Sequence, residues 1–189
     1  MAVGGSHLGT GSHLGTELVA FLHRQKATNS VPIGLRDILC IALFYLEEKQ
    51  MEKQVIEKLI DTAIEQLKFS YAPYSNFKVG AALLAKNGTV YTGCNIENAA
   101  FTPTNCAERT AFFKAVSEGV HEFDAICIVG GKEGILTEYA APCGVCRQVM
   151  MEFCNPDTFQ VILALDKEHY DVYTLRELMP QGFGPGNLA

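Results

Sequence analysis

Val55, Leu59, Ile60, Ala63, Ile64 and Leu67 recur at helical spacing, with Glu and Lys between them. That period predicts an amphipathic helix beginning near Met51. Ala72-Pro73-Tyr74-Ser75 breaks it. Residues 77–84 and 89–94 read as strands, and Asn87-Gly88 between them predicts a hairpin turn, because both positions tolerate positive φ. Residues 105–117 predict a helix ending near Gly119, and 125–129 a short buried strand. After Pro142, residues 143–153 read as a helix, 159–165 as a third buried strand, 170–173 as an edge segment and 175–179 as a short helix. The tail from Pro180 is rich in Gly and Pro. The order helix, hairpin, helix, strand, helix, strand predicts an α/β fold, a mixed sheet with helices on both faces.

The first 50 residues follow a different pattern. Gly5-Ser6-His7-Leu8-Gly9-Thr10 is repeated at once as Gly11-Ser12-His13-Leu14-Gly15-Thr16, which reads as a linker or a cloning scar. Residues 17–26 and 35–48 predict two helices separated by Pro32 and Gly34, the second apolar almost all round. Residues 1–50 are therefore expected to be an extension of unassigned role, and residues 51–189 the functional domain.

Composition narrows the function classes. Of 189 residues, 48% are hydrophobic and 19% charged, as a packed core requires. The formal net charge is −6 and no basic stripe is present, which argues against a polynucleotide partner. No apolar run reaches the ~18 to 20 residues that span a bilayer, so no membrane partner is expected and a cytoplasmic location is. The seven cysteines are Cys40, Cys94, Cys106, Cys127, Cys143, Cys146 and Cys154. An odd number without a secretory leader predicts reduced thiols, which can bind metal, rather than a disulfide framework.

The candidate chemistry lies in Cys106-Ala107-Glu108-Arg109 and Pro142-Cys143-Gly144-Val145-Cys146-Arg147. Each cysteine group falls at a predicted helix start, where the helix dipole and unpaired N–H groups favour a thiolate, the metal-ligating form. Three thiolates leave one tetrahedral position of a zinc ion open, as catalytic sites do and structural sites usually do not. Glu108, two residues from a ligand, is placed to move protons beside that position. Arg109 and Arg147 follow their ligands closely and are expected to hydrogen-bond the sulfurs, moderating the net negative charge of a three-thiolate Zn2+ site. A cysteine-x-Glu group followed by Pro-Cys-x-x-Cys is a pattern of zinc-dependent deaminases, which act on cytosine or adenine rings.

Longer blocks carry a closer resemblance. Tyr71-Ala72-Pro73-Tyr74-Ser75-Asn76-Phe77-Lys78-Val79-Gly80-Ala81-Ala82-Leu83, Gly93-Cys94-Asn95-Ile96-Glu97-Asn98-Ala99, Asn105 to Ala111, Lys114 to Gly119 and Pro142 to Met150 resemble the short, homotetrameric cytidine deaminases of pyrimidine nucleoside salvage. The resemblance covers residues 51–188. It implies a three-layer α/β/α sandwich around a five-stranded mixed sheet, a Zn2+ cofactor, and hydrolysis of cytidine and 2′-deoxycytidine to uridine and 2′-deoxyuridine with release of ammonia. It also implies that Asn95 and Glu97 hold the ribose hydroxyls and that Phe77 packs against the nucleoside. The backbones of Ala107 and Ala141 would bond the pyrimidine edge and its amino group. Phe183 would lie over the base in a neighbouring subunit's site, so that active sites are shared within a homotetramer. Relatives often carry Ser in place of Ala141 and Tyr in place of Phe101.

Plainer readings compete at each point. Pro-Cys-x-x-Cys alone is equally a redox pair or half of a structural zinc knuckle. A closed zinc site would recruit Cys94 or Cys154 as fourth ligand. Asn95 and Glu97 also fit a polar turn after the hairpin, and Phe77 alternates like a core strand residue. Cys127 reads as core, Cys40 as core or unstructured, and the five histidines as surface residues. Other functions consistent with the motif are a deaminase of another nucleoside such as blasticidin S, a structural zinc protein that binds partners, and an editor of RNA or single-stranded DNA.

Overall fold

The computed structural model describes residues 51–188. The repeat, the two helices expected over 17–26 and 35–48, and Cys40 lie outside the described residues. The first helix, α1 (Lys53–Gln66), is followed by a single 3-10 turn, Leu67–Phe69. Ile56, Leu59, Ile60 and Ala63 are its buried positions. Ile56 takes the place expected of Val55, and both Val55 and Ile64 flank the stripe half-buried. Strands β1 (Phe77–Ala85) and β2 (Val90–Cys94) form the expected antiparallel hairpin. Gly88 sits in its turn at φ 84°, a backbone region open to glycine.

Helix α2 (Ala107–Ser117) leads to β3 (Phe123–Lys132), which exceeds the expected strand at both ends. Its extension includes Gly130 and Gly131, which add no apolar side chain to the pattern yet pair with Val79 and Lys78 of β1. Helix α3 (Gly144–Phe153), β4 (Gln160–Ala164), β5 (Tyr170–Thr174) and the four-residue α4 (Leu175–Leu178) complete the described fold. Thr174 caps α4 in a reciprocal capping box with Glu177.

The five strands form one sheet in the order β2-β1-β3-β4-β5. Only the β3–β4 pair is parallel, so the sheet is mixed. The crossover between those two strands carries α3, as a parallel connection requires. Alternation along β1 separates the two faces. Ala81, Leu83 and Ala85 join Ala107, Ala111, Phe112, Ala115, Met150, Phe159 and Val161 in one core cluster. The opposite face meets α1: a Cβ on Gly80 would lie 2.1 Å from the Ala63 carbonyl oxygen. Cys127, paired with Ala82 on that face, is fully buried, as expected of a core residue. The result is a three-layer α/β/α sandwich. Gly93 of β2 sets α2 directly on the sheet, since a Cβ there would meet the Ala107 oxygen at 2.2 Å and the Ala111 nitrogen at 2.6 Å. That contact fixes the first turn of α2, where the candidate chemistry sits.

Candidate active site

Both helix starts are capped by cysteine. Cys106 is the N-cap of α2 and Cys143 the N-cap of α3, each in extended backbone conformation. Ser, Thr, Asp or Asn usually fills this position and bonds the helix's own N–H groups. Neither cysteine side chain makes such a bond. Their sulfurs face one another instead, 3.9 Å apart, with Cys143 Sγ 3.6 Å from Cys146 Sγ in the first turn of α3. The helices begin one and two residues later than residues 143 and 105 respectively. Asn105 is drawn out of α2 because its N–H and C=O both bond Ile96, closing the loop between them.

The three sulfurs lie within 4.8 Å of one another and are the metal-competent group found among the described residues. Thiolates at ~2.3 Å from a tetrahedral ion stand about 3.8 Å apart, so the spacing and the soft donor set fit zinc. The electrostatics ask for a cation as well. The Cys106 thiol is drawn down to about 5, first by a hydrogen bond from Cys146 and also by Arg109. Cys146, the donor of that bond, is pushed up. Three sulfurs this close share protons or are neutralised by a metal ion. Among the described residues no fourth cysteine closes the group: Cys94 Sγ donates to the Phe69 carbonyl, and burial pushes the Cys154 thiol up at the far end of α3. The two described histidines, His121 and His169, are exposed.

Glu108 occupies the second residue of α2 and is only 4% exposed, the buried charged residue of the core. Burial raises its carboxyl to about 7, and the Cys106 charge beside it adds to the shift. A carboxyl of this kind can take and give a proton near neutral pH.

The two arginines part company. Arg109 donates to Cys106 Sγ at 3.5 Å and to the Thr104 carbonyl at 3.2 Å, and its Nε is buried with no partner among the described residues. Arg147 does not reach sulfur. Its Nε donates to the Pro142 carbonyl at 2.8 Å and its Nη1 to the Leu178 carbonyl at 2.5 Å. The expected sulfur bond is replaced because the carbonyl end of α4 stands directly across from the guanidinium. Arg147 thus pins the segment that presents Cys143 to the end of α4.

The residues expected around the nucleoside divide into a knotted polar pair, three exposed residues and one buried residue. Asn95 Oδ1 accepts from the Val79 N–H at 2.8 Å and the Ser70 hydroxyl at 2.5 Å, while its Nδ2 donates to the Phe77 carbonyl at 2.8 Å. These bonds leave one Nδ2 hydrogen. Glu97 accepts from the Tyr74 N–H, the Ser75 N–H and the Ser75 hydroxyl. Glu97, Tyr74, Ser75, Phe101 and Thr104 line a cleft of about 350 Å3, large enough for a small molecule. Phe77, which alternation alone would place in the core, is 41% exposed at the mouth of β1. Ala141 is exposed beside the buried Pro142, whereas Ala107 is fully buried. Phe183 is 56% exposed, and its carbonyl accepts from Gln148 Nε2 at 2.9 Å.

Sequence reasoning passed over Ser75, Tyr74, Thr104 and Gln148. Ser75 and Tyr74 lie inside a block that reads as a helix break, and their contacts with Glu97 are more than 20 residues away in the chain. No local periodicity carries such pairings.

Comparison with known proteins agrees with this geometry. A family model described as the cytidine and deoxycytidylate deaminase zinc-binding region matches residues 53–162. A cytidine deaminase of Sporosarcina psychrophila is 49% identical over 134 residues, covering 71% of this chain and 95% of the relative. One from Halalkalibacterium halodurans is 46% identical over 133 residues, covering 70% and 95%. The crystal structure of cytidine deaminase from Burkholderia pseudomallei superposes with a TM-score of 0.61 at 45% identity, covering 67% of this chain and 97% of that one. A three-cysteine site on two helix starts, the five-stranded sheet and these matches together place the chain in the zinc-dependent cytidine deaminase family.

Proposed function

We propose that the chain hydrolyses cytidine and 2′-deoxycytidine to uridine and 2′-deoxyuridine, releasing ammonia. The observation that carries this reading is the buried Glu108 beside the Cys106, Cys143 and Cys146 sulfurs. Zinc bound by those three thiolates supplies a Lewis acid that makes water nucleophilic near neutral pH. Glu108 takes a proton from the attacking water and delivers it to N3 of the pyrimidine as the C4–O bond forms. It then carries the second proton from the new C4 hydroxyl to the amino group. The C4–N bond breaks, ammonia leaves and the C4 carbonyl remains. Arg109, bonded to Cys106 Sγ, withdraws charge from the thiolate set.

The other binding roles belong to the same reading. Glu97 and the remaining Nδ2 hydrogen of Asn95 hold the ribose hydroxyls, and Phe77 packs against the nucleoside. The backbones of Ala107 and Ala141 bond the pyrimidine edge and amino group. Phe183 serves a neighbouring subunit's site in a homotetramer; its exposure on a Gly/Pro-rich tail supports that role. The enzyme acts in pyrimidine nucleoside salvage in the cytoplasm; among the described residues no helix is long and apolar enough to cross a membrane. Residues 51–189 form the catalytic domain, a reading supported by the family match that begins at residue 53 and by a compact unit over Glu52–Ala189.

Loss of cytidine absorbance, measured for the zinc-loaded chain against blasticidin S as competing substrate, tests the proposal. Turnover of cytidine is the expected result. A chain that turns over blasticidin S and leaves cytidine intact overturns the substrate assignment.

A further inference from the structure

Glu97 is held by one short stretch of chain, and each carboxylate oxygen has its own donors. Oε2 accepts from the Tyr74 N–H at 2.8 Å and from the Ser75 N–H at 3.3 Å. Oε1 accepts from the Ser75 hydroxyl at 2.5 Å. The same hydroxyl oxygen accepts from the Phe77 N–H at 3.0 Å, which commits its own proton to Glu97. A chain of donors therefore runs from the first residue of β1 through Ser75 to the carboxylate. Such chains polarise each bond along their length.

The backbone around Ser75 is itself fixed. Asn76 sits at φ 55°, its N–H bonded to the Ala72 carbonyl and its carbonyl bonded to the Glu133 N–H. The Glu97 N–H bonds the Tyr71 carbonyl, so both ends of the Glu97–Ser75 contact are anchored in the main chain. Two backbone donors on one oxygen leave a carboxylate free to rotate about that contact. A separate donor on the second oxygen fixes its plane. The Ser75 hydroxyl is the first cause, ahead of the Tyr74 N–H, of the Glu97 carboxyl standing below its usual range, so the group stays an acceptor. Glu97 and Ser75 both line the cleft beside Phe101 and Thr104.

We infer that Ser75 is a positioning residue, whose hydroxyl fixes the plane of the Glu97 carboxylate towards the sugar of the nucleoside. This rests on the reading of Glu97 as the group that holds the ribose hydroxyls. The Ser75 hydrogen bonds run to Glu97 and the Phe77 N–H and not to Glu108 or the three sulfurs, so its effect falls on the affinity for the sugar.

The test uses zinc-loaded full-length chain, with Ser75→Ala, Ser75→Thr, Glu97→Gln and the Ser75→Ala/Glu97→Gln pair. Cytidine is the substrate; 2′,3′-dideoxycytidine, which lacks the 2′- and 3′-hydroxyls, is measured as substrate or competitor. Ser75→Ala is expected to raise KM for cytidine about tenfold, the equivalent of one charge-assisted hydrogen bond, with kcat changed by less than about twofold. Ser75→Thr restores KM. The dideoxynucleoside binds parent and Ser75→Ala equally, and Ser75→Ala has no further effect once Glu97 is Gln. If Glu97→Gln raises KM and Ser75→Ala does not, the positioning role is overturned while the sugar reading stands. If Glu97→Gln leaves KM unchanged, the sugar reading falls and this inference with it. An equal loss for both nucleosides also overturns the positioning role. Should the alanine variant fail to fold, Ser75→Cys, which keeps the volume and weakens the donor, is read by the same criteria.

Discussion

Glu108 combines a charge with burial, which a core tolerates only for a reason. The reason proposed here is proton transfer, and it separates metal binding from turnover. Glu108→Ala is expected to retain one zinc per chain, because the donors are sulfurs, and to lose about 10²- to 10⁴-fold in kcat. Metal analysis beside a cytidine assay checks both halves; an alanine variant that keeps its rate removes Glu108 from the mechanism. The sequence made Glu108 and the three cysteines legible because chemistry, not packing, dictates their spacing. The partner of Arg147 was not legible. A guanidinium next to a ligand looks the same in sequence whether it reaches sulfur or a carbonyl, and the Leu178 carbonyl it finds lies 31 residues on.

Helices α2 and α3 meet at their N-termini, and the sulfurs on those termini join them. Cys143→Ala is expected to abolish stoichiometric zinc and to lower Tm by at least about 5 °C, because metal binding is linked to folding. Thermal melts with and without chelator check this, and the chelator is expected to leave the variant's Tm unchanged. Arg147→Ala releases the Pro142 and Leu178 carbonyls together and is expected to cost about 2 kcal/mol in denaturant unfolding. The turn between β4 and β5 carries a pH signature. Asp166 accepts from the His169 ring at 3.0 Å and raises its pKa above 6.5. A raised pKa gives a contribution present below pH 6.5 and lost as pH rises through the folded value. An NMR titration of His169 is expected to move down in Asp166→Asn; an unmoved midpoint contradicts the pairing. The sequence pattern marked each described α-helix and strand by different signals: α1 by its apolar period, and β3 and β4, buried on both faces, by continuous apolar runs. It misjudged boundaries where backbone pairing rather than side chains decides them: Asn105 pairs with Ile96, and Gly130 and Gly131 prolong β3 with no side chain to signal it.

At the scale of the molecule, the order of elements sufficed to give a mixed α/β sheet. The cleft beside Glu97 was legible only through resemblance, since it is assembled from the loop before β1 and the loop before α2. Removing residues 1–50 is expected to leave a folded and active chain; a truncated protein that fails to fold contradicts the domain division. Phe183→Ala is expected to lower kcat/KM at least about tenfold, and mixing it with chains carrying Glu108→Ala is expected to restore part of the activity if subunits exchange aromatics. The most direct measurement is cytidine turnover by the zinc-loaded full chain in water enriched in heavy oxygen. The expected products are uridine carrying one heavy oxygen at C4 and an equal amount of ammonia. Cytidine left unchanged by a chain holding one zinc, or uridine without the label, contradicts the proposed hydrolysis.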